Sequence, residues 1–177
     1  MERRESVLFR QLAPLVRTLI PAAVRADPTQ LWRAECLLAT VLICLAVIPG
    51  YAVLYHYMGD DSVARYCWIA SAVIVASVRL FRTAATYPYA KHVIVGTVFV
   101  LLLAMSCRLG GLTAPTVIWL STCPLVAITA GGRAYGIRWT VLAFCGMVAM
   151  FCGDLLAIYP PVLVRDLRLL GVISSVT

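Results

Sequence analysis

Charge is scarce in this chain. Only 13% of its 177 residues are Asp, Glu, Lys or Arg, while 62% are hydrophobic. A water-soluble domain carries about 25% charged residues, so this chain cannot clothe a water-facing surface, and its polypeptide is expected in a membrane. A helical crossing takes about 20 residues, so five or six crossings consume nearly the whole length and leave no room for a soluble catalytic domain.

Chemical motifs are equally scarce. The seven cysteines, Cys36, Cys44, Cys67, Cys107, Cys123, Cys145 and Cys152, contain no pair at the two-residue spacing of a redox or zinc motif. Most lie in apolar runs, where a free thiol behaves as a small hydrophobe. Cys67 and Cys107, both expected near one surface, are the pair open to a disulfide. There is no nucleophile elbow, no His-Glu-x-x-His and no phosphate-cradling glycine loop. The two histidines, His56 and His92, are expected at opposite membrane surfaces and cannot share a metal. No cofactor, metal site or catalytic residue is expected. The apolar stretch near the N-terminus is broken by Arg10, Pro14 and Arg17, so no cleavable signal peptide is expected.

What the chain does have is a series of uncharged runs. Residues 1–30 form a basic segment with Leu8, Leu12, Leu15 and Leu19 spaced along one helical face. Two readings fit it: an amphipathic helix on an anionic membrane surface, or a solvated basic tail. Beyond it, helices are predicted at about 33–57, 62–81, 89–108, 115–131 and 136–158. Pro49 and Gly50 are expected to bend the first. The fourth is the clearest, because all of Leu109–Gly132 is uncharged. A sixth helix, 169–177, spans about 13 Å where about 30 Å is needed, so the natural product is expected to continue past Thr177.

Lysine and arginine bias sets the orientation. With a cytoplasmic N-terminus the inner segments hold eleven basic residues and the outer ones four, Arg65, Arg108, Arg165 and Arg168. The four outer bases are balanced by Asp60, Asp61, Asp154 and Asp166, so the entire +7 net charge is expected at the inner face. There it meets anionic lipid, not nucleic acid.

The remaining ionisable groups collect at the outer rim. His56, Arg108 and Asp154 are the candidate ligand residues, because a charge at the end of an apolar run needs a partner or a function. Arg108 and Asp154 admit two readings: an outward pocket in which Arg108 receives a carboxylate or a lipid-like anionic headgroup, or an interfacial ion pair positioning the third and fifth helices. Ala72 with Ala76, and Gly146 with Gly153, are expected at close helix contacts. Pro124 with Ser121 and Thr122 supply the few midplane features a transporter would use.

The stretch RLGGLTAPTVIWLSTCPLVAITAGGRAYGIRW, Arg108–Trp139, resembles the N-terminal multi-helix sensor region of bacterial sensor histidine kinases, including hybrid kinases, and of some diguanylate and class III adenylate cyclases. The matching positions are Gly110, Gly111, Ala114, Pro115, Trp119, Pro124, Gly132, Gly136 and Trp139. Arg33 and the stretch from Arg79 to Thr83 are also similar, and the likeness extends over about residues 31–170. It implies a six-helix, homodimeric input module in a bacterial inner membrane, whose last helix feeds a cytoplasmic kinase or cyclase domain. The chain departs from that pattern in having no output domain and no phosphoacceptor histidine motif. The expectation is an all-α multi-pass sensory module without enzymatic activity of its own. A small transporter or channel subunit and a structural or assembly protein remain as alternatives.

Overall fold

The computed structural model describes residues 20–83, 85–156 and 158–159, all helix, turn or connecting chain. The sixth predicted helix and most of the basic N-terminal segment lie outside the described residues. At the segment's end, Ala22–Arg25 forms a single helical turn, α1, with Ile20 and Val24 buried.

Helix α2, Pro28–Tyr57, begins five residues before its predicted start. Asp27 is extended and its carboxylate accepts the N–H of Thr29 at 2.9 Å and of Gln30 at 3.4 Å, while Pro28 sits in the first turn, where no amide is needed. At about 45 Å it exceeds a hydrocarbon core of about 30 Å. The helix remains continuous through Pro49 and Gly50. Gly59, at φ 85°, turns the chain into α3, Asp61–Ser77, which Asp60 caps by accepting from Val63 N at 3.1 Å. Its last predicted turn tightens into a 3-10 segment, Val78–Arg82, whose Phe81 is fully buried edge-on to Tyr87.

On α3 the buried face is Val63, Cys67, Ala70, Ile74 and Ser77, with Ala64 and Ser71 beside it. These mostly small residues let α2 and α3 approach closely. The predicted pair Ala72 and Ala76 instead faces outward, exposed. Ser71 and Ser77 donate to carbonyls of their own helix, at 2.9 and 2.7 Å, so neither hydroxyl is left bare in an apolar setting.

Helix α4, Tyr87–Arg108, lies between two core clusters. One gathers α1 to α4, and the other packs Phe99 of α4 with Leu120, Cys123, Ala143 and Met150. The fourth predicted helix, 115–131, is not one rod. A 3-10 turn at Gly111–Thr113 precedes it, and the stretch itself divides into α5, Val117–Leu120, and α6, Thr122–Gly131. Proline clashes with the carbonyl four residues before it, and α5 ends at Leu120, four before Pro124. Ser121 and Thr122 donate to the carbonyls of Ile118 and Trp119, each at 2.6 Å, where the helix breaks. Helix α7, Arg133–Leu155, runs three residues earlier at both ends than its prediction, because Gly132 at φ 81° closes the α6–α7 turn.

Four stretches are long and apolar enough to cross a membrane: α2, α3 with its 3-10 extension, α4 and α7. The shorter apolar stretch Val117–Gly131 carries the chain back between the end of α4 and the start of α7. Ile43, Ile69, Val100, Leu125 and Phe144 are 61–64% exposed, a surface suited to acyl chains rather than water. The protein is an all-α, multi-pass membrane bundle.

The closest approach of α6 and α7 is at Gly136, where a Cβ would fall on Ile128 Cγ1. Gly136→Ala is expected to lower stability by about 1–3 kcal/mol through overpacking. Ile128→Ala in the same chain should recover part of the loss in detergent melting curves, and an unchanged Gly136→Ala melt would contradict the contact.

Candidate functional site

The last turn of α7 carries Asp154, and the α4–α5 connection comes to meet it. Gly110 and Gly111 adopt φ of 106° and 64°, a left-handed turn that side chains disfavour. The turn aims Leu112 N–H at Asp154 Oδ2, 2.9 Å away, while a Cβ on Gly111 would collide with Oδ1. The carboxylate therefore finds its partner in backbone. A charge-assisted bond of this kind answers the cost of placing Asp154 at the end of an apolar helix.

Tyr159 closes the arrangement. Its ring occupies the space beside Gly153 and Gly111 that a Cβ on either would enter, and its hydroxyl stands 3.8 Å from Cys107 Sγ on α4. The Cys107 contact, then burial and the nearby Asp154 charge, holds the Tyr159 phenol above its ordinary pKa. One turn away Ser106 and Thr116 share a buried hydrogen bond of 2.7 Å. Since Ser106 donates to Leu102 O at 2.8 Å, Thr116 supplies the proton between them. Asp154, the Gly110–Gly111 turn, Cys107 and Tyr159 thus form one clasp joining α4, the α4–α5 loop and the chain leaving α7.

The three predicted ligand residues do not converge. Arg108 is exposed and forms no ion pair with Asp154, so the interfacial pair open to the sequence is replaced by the backbone contact. His56 belongs to the α2–α3 turn, where Nδ1 lies 2.8 Å from Asp61 Oδ1 with both side chains 69% exposed. Arg65 Nε donates to Asp61 O at 3.2 Å. No hydrogen bond or ion pair among the described residues links the His56 group to the Asp154 clasp.

The motif residues serve the fold at several points. Pro115 is exposed in the turn before α5, Trp119 is 54% exposed on the outer face, and Pro124 sits in the first turn of α6. Gly132 lies against the Arg33 guanidinium of α2, with a Cβ there only 3.0 Å from Nη2. Trp139 packs on Phe99 and Tyr135, ring centroids 5.6 and 6.2 Å apart, and sits 3.7 Å from where Gly96 would carry a Cβ. Gly146 packs against Phe99, as its small size predicts, whereas Gly153 accommodates Tyr159 rather than another helix.

Two features escaped sequence reasoning. Tyr159 carried only the signal of standing before Pro160 and Pro161, which biases it away from helix. Tyr135 gave none. Its hydroxyl donates to Lys91 O at 3.2 Å, its ring lies 5.1 Å from Lys91 Nζ, and His92 stacks edge-on at 4.8 Å. Among the described residues no three His, Cys, Asp or Glu side chains gather as a metal site, and all seven cysteines are free, Cys67 and Cys107 included.

The clasp makes two substitutions informative. Asp154→Ala should cost about 1.5–3 kcal/mol, the range for a hydrogen bond to a charged group, and Asp154→Asn less because one oxygen acceptor remains. Gly111→Ala should be at least as damaging, since it meets both a steric block and a left-handed φ. Melting temperatures in detergent check the order, and equal stability of Asp154→Ala and the parent would dissolve the clasp. Compared with protein-family models, curated proteins and solved structures, the chain finds no match.

Proposed function

We propose that this chain is the membrane-embedded input module of a signal-transduction receptor, of the kind that precedes a bacterial histidine kinase in an inner membrane. The observation that carries the reading is the Asp154 clasp. It ties the chain leaving α7, the route toward any further helix, to the loop between α4 and α5 through one hydrogen bond, two left-handed glycines and the Tyr159 ring. A device of this form has two packings available, closed with Leu112 N–H on the carboxylate and open with that amide released.

Arg108 stands two residues before Gly110, exposed and free of Asp154. A small anionic or lipid-like ligand arriving from the outer side pairs with Arg108 and pulls on the loop that Asp154 holds. The ligand acts only through its different affinity for the two packings. His56, engaged with Asp61 on a separate turn, is a local anchor in this scheme rather than a member of the site.

The test joins the chain to a histidine kinase output domain and measures basal autophosphorylation in membrane vesicles at matched insertion. Loss of about 1.5–3 kcal/mol from the closed packing shifts a two-state balance by roughly tenfold or more, so Asp154→Ala should change basal output several-fold. His56→Ala should leave it unaltered. Output indifferent to Asp154→Ala, in protein that inserts normally, rejects the sensory reading.

A further inference from the structure

A groove runs along the outer face of α3 and α4, with a volume of about 450 Å³. Tyr66 and Val73 line it from α3, and His92, Gly96, Val100 and Ala104 from α4. Its walls are almost wholly apolar side chains, and Val100 at 62% and Tyr66 at 38% exposure leave it open to the surroundings. From His92 to Ala104 it extends about 18 Å along α4 at 1.5 Å per residue. One leaflet of a bilayer is half of a hydrocarbon core of about 30 Å, so the groove is one leaflet long.

The two mouths differ. Tyr66 and Ala104 lie toward the end of the bundle that holds Asp61 and Asp154. His92 lies at the other end, next to Lys91, and Arg138 stands exposed on α7 one turn after Tyr135. Tyr135 draws Lys91 and His92 together: its hydroxyl bonds Lys91 O, its ring faces Lys91 Nζ, and it meets the His92 ring at 4.8 Å in a T-shaped contact. Arg79 and Arg82, on the 3-10 segment after α3, are exposed at the same end. Its described carboxylates are Asp27, occupied in capping α2, and Glu35 on α2. An apolar slot of leaflet length opening beneath a cationic rim is complementary to one molecule, an anionic glycerophospholipid.

We infer that the α3–α4 groove binds an acyl chain of an anionic phospholipid from the leaflet at the basic end, with the headgroup phosphate at Lys91 and Arg138. A second copy of the chain fits less well, because a parallel neighbour on this face brings its own basic rim to the same place. The site is at the opposite end from the Asp154 clasp and stands whether or not the protein is a sensor.

Native mass spectrometry of the full chain in mild detergent, titrated with phosphatidylglycerol and with phosphatidylcholine of identical acyl chains, reads both halves of the site. The parent should retain phosphatidylglycerol preferentially, and Lys91→Gln and Arg138→Gln should each reduce that preference about fivefold, the effect of one basic residue at an anionic surface. Arg138→Lys keeps the charge and should keep the preference. Val100→Phe fills the groove from its open side and should lower occupancy by both lipids. Equal retention of the two lipids by the parent overturns the headgroup assignment. An equal loss in Arg65→Gln, at the other end, reduces it to general surface charge, and unchanged occupancy in Val100→Phe overturns the groove.

Discussion

In hydrocarbon there is no water to satisfy a polar group that the fold leaves bare, and each departure from plain helix in this bundle answers that constraint. Asp154 is the clearest case. A carboxylate at the end of an apolar helix is tolerable only with a donor, and the donor is Leu112 N–H, delivered by two glycines in left-handed conformation. The same constraint acts on Ser71, Ser77, Thr97 and Thr140, whose hydroxyls all return to carbonyls of their own helices. Where α5 gives way to α6, the Ser121 and Thr122 hydroxyls likewise return to the Ile118 and Trp119 carbonyls.

Close packing is the second theme, and glycine makes it possible at two places. At Gly136, α7 rides directly on Ile128 of α6. At Gly111 and Gly153 the absent side chains open the space that Asp154 and Tyr159 occupy. Dispersion is the main attraction between helices in a membrane, so a missing methyl group at these sites has the value that a buried leucine has in a soluble core. Helix α4 benefits most: it contributes to the two core clusters that flank it and, through Val95, to a third with Ala127 and Tyr135, carries Cys107 and Ser106 at one end, and anchors the Lys91–Tyr135 contact at the other.

The two ends of the bundle consequently have different chemistry. One holds Asp60, Asp61 and Asp154 against Arg65 and Arg108 among the described residues, in two separate groups, His56 with Asp61 and Asp154 with Leu112. The other is basic, with aromatic rings packed among the cations. This polarity is what the protein offers to its surroundings at the two membrane surfaces.

The sequence by itself determined the membrane character, the helical class, the segregation of charge and the approximate position of every described crossing, because these follow from run length and composition. It also marked Asp154, Gly110 and Gly111, since a charge in an apolar run and paired glycines are visible as residues. Partners were not visible. Which group answers Asp154 depends on where Leu112 N–H points, and a backbone amide leaves no trace in residue identity. Arg108 looked the natural partner on charge alone, yet the glycine turn places a backbone donor at the carboxylate and leaves the guanidinium outside. Likewise the long uncharged run Leu109–Gly132 became the shorter apolar stretch Val117–Gly131, because hydropathy counts residues whereas φ at Gly110 and Gly111 and the ring of Pro124 decide how many of them are helix. Tertiary structure alone separated His56 from Asp154 and brought Tyr135 to Lys91 and His92, since those distances depend on how helices far apart in the chain pack.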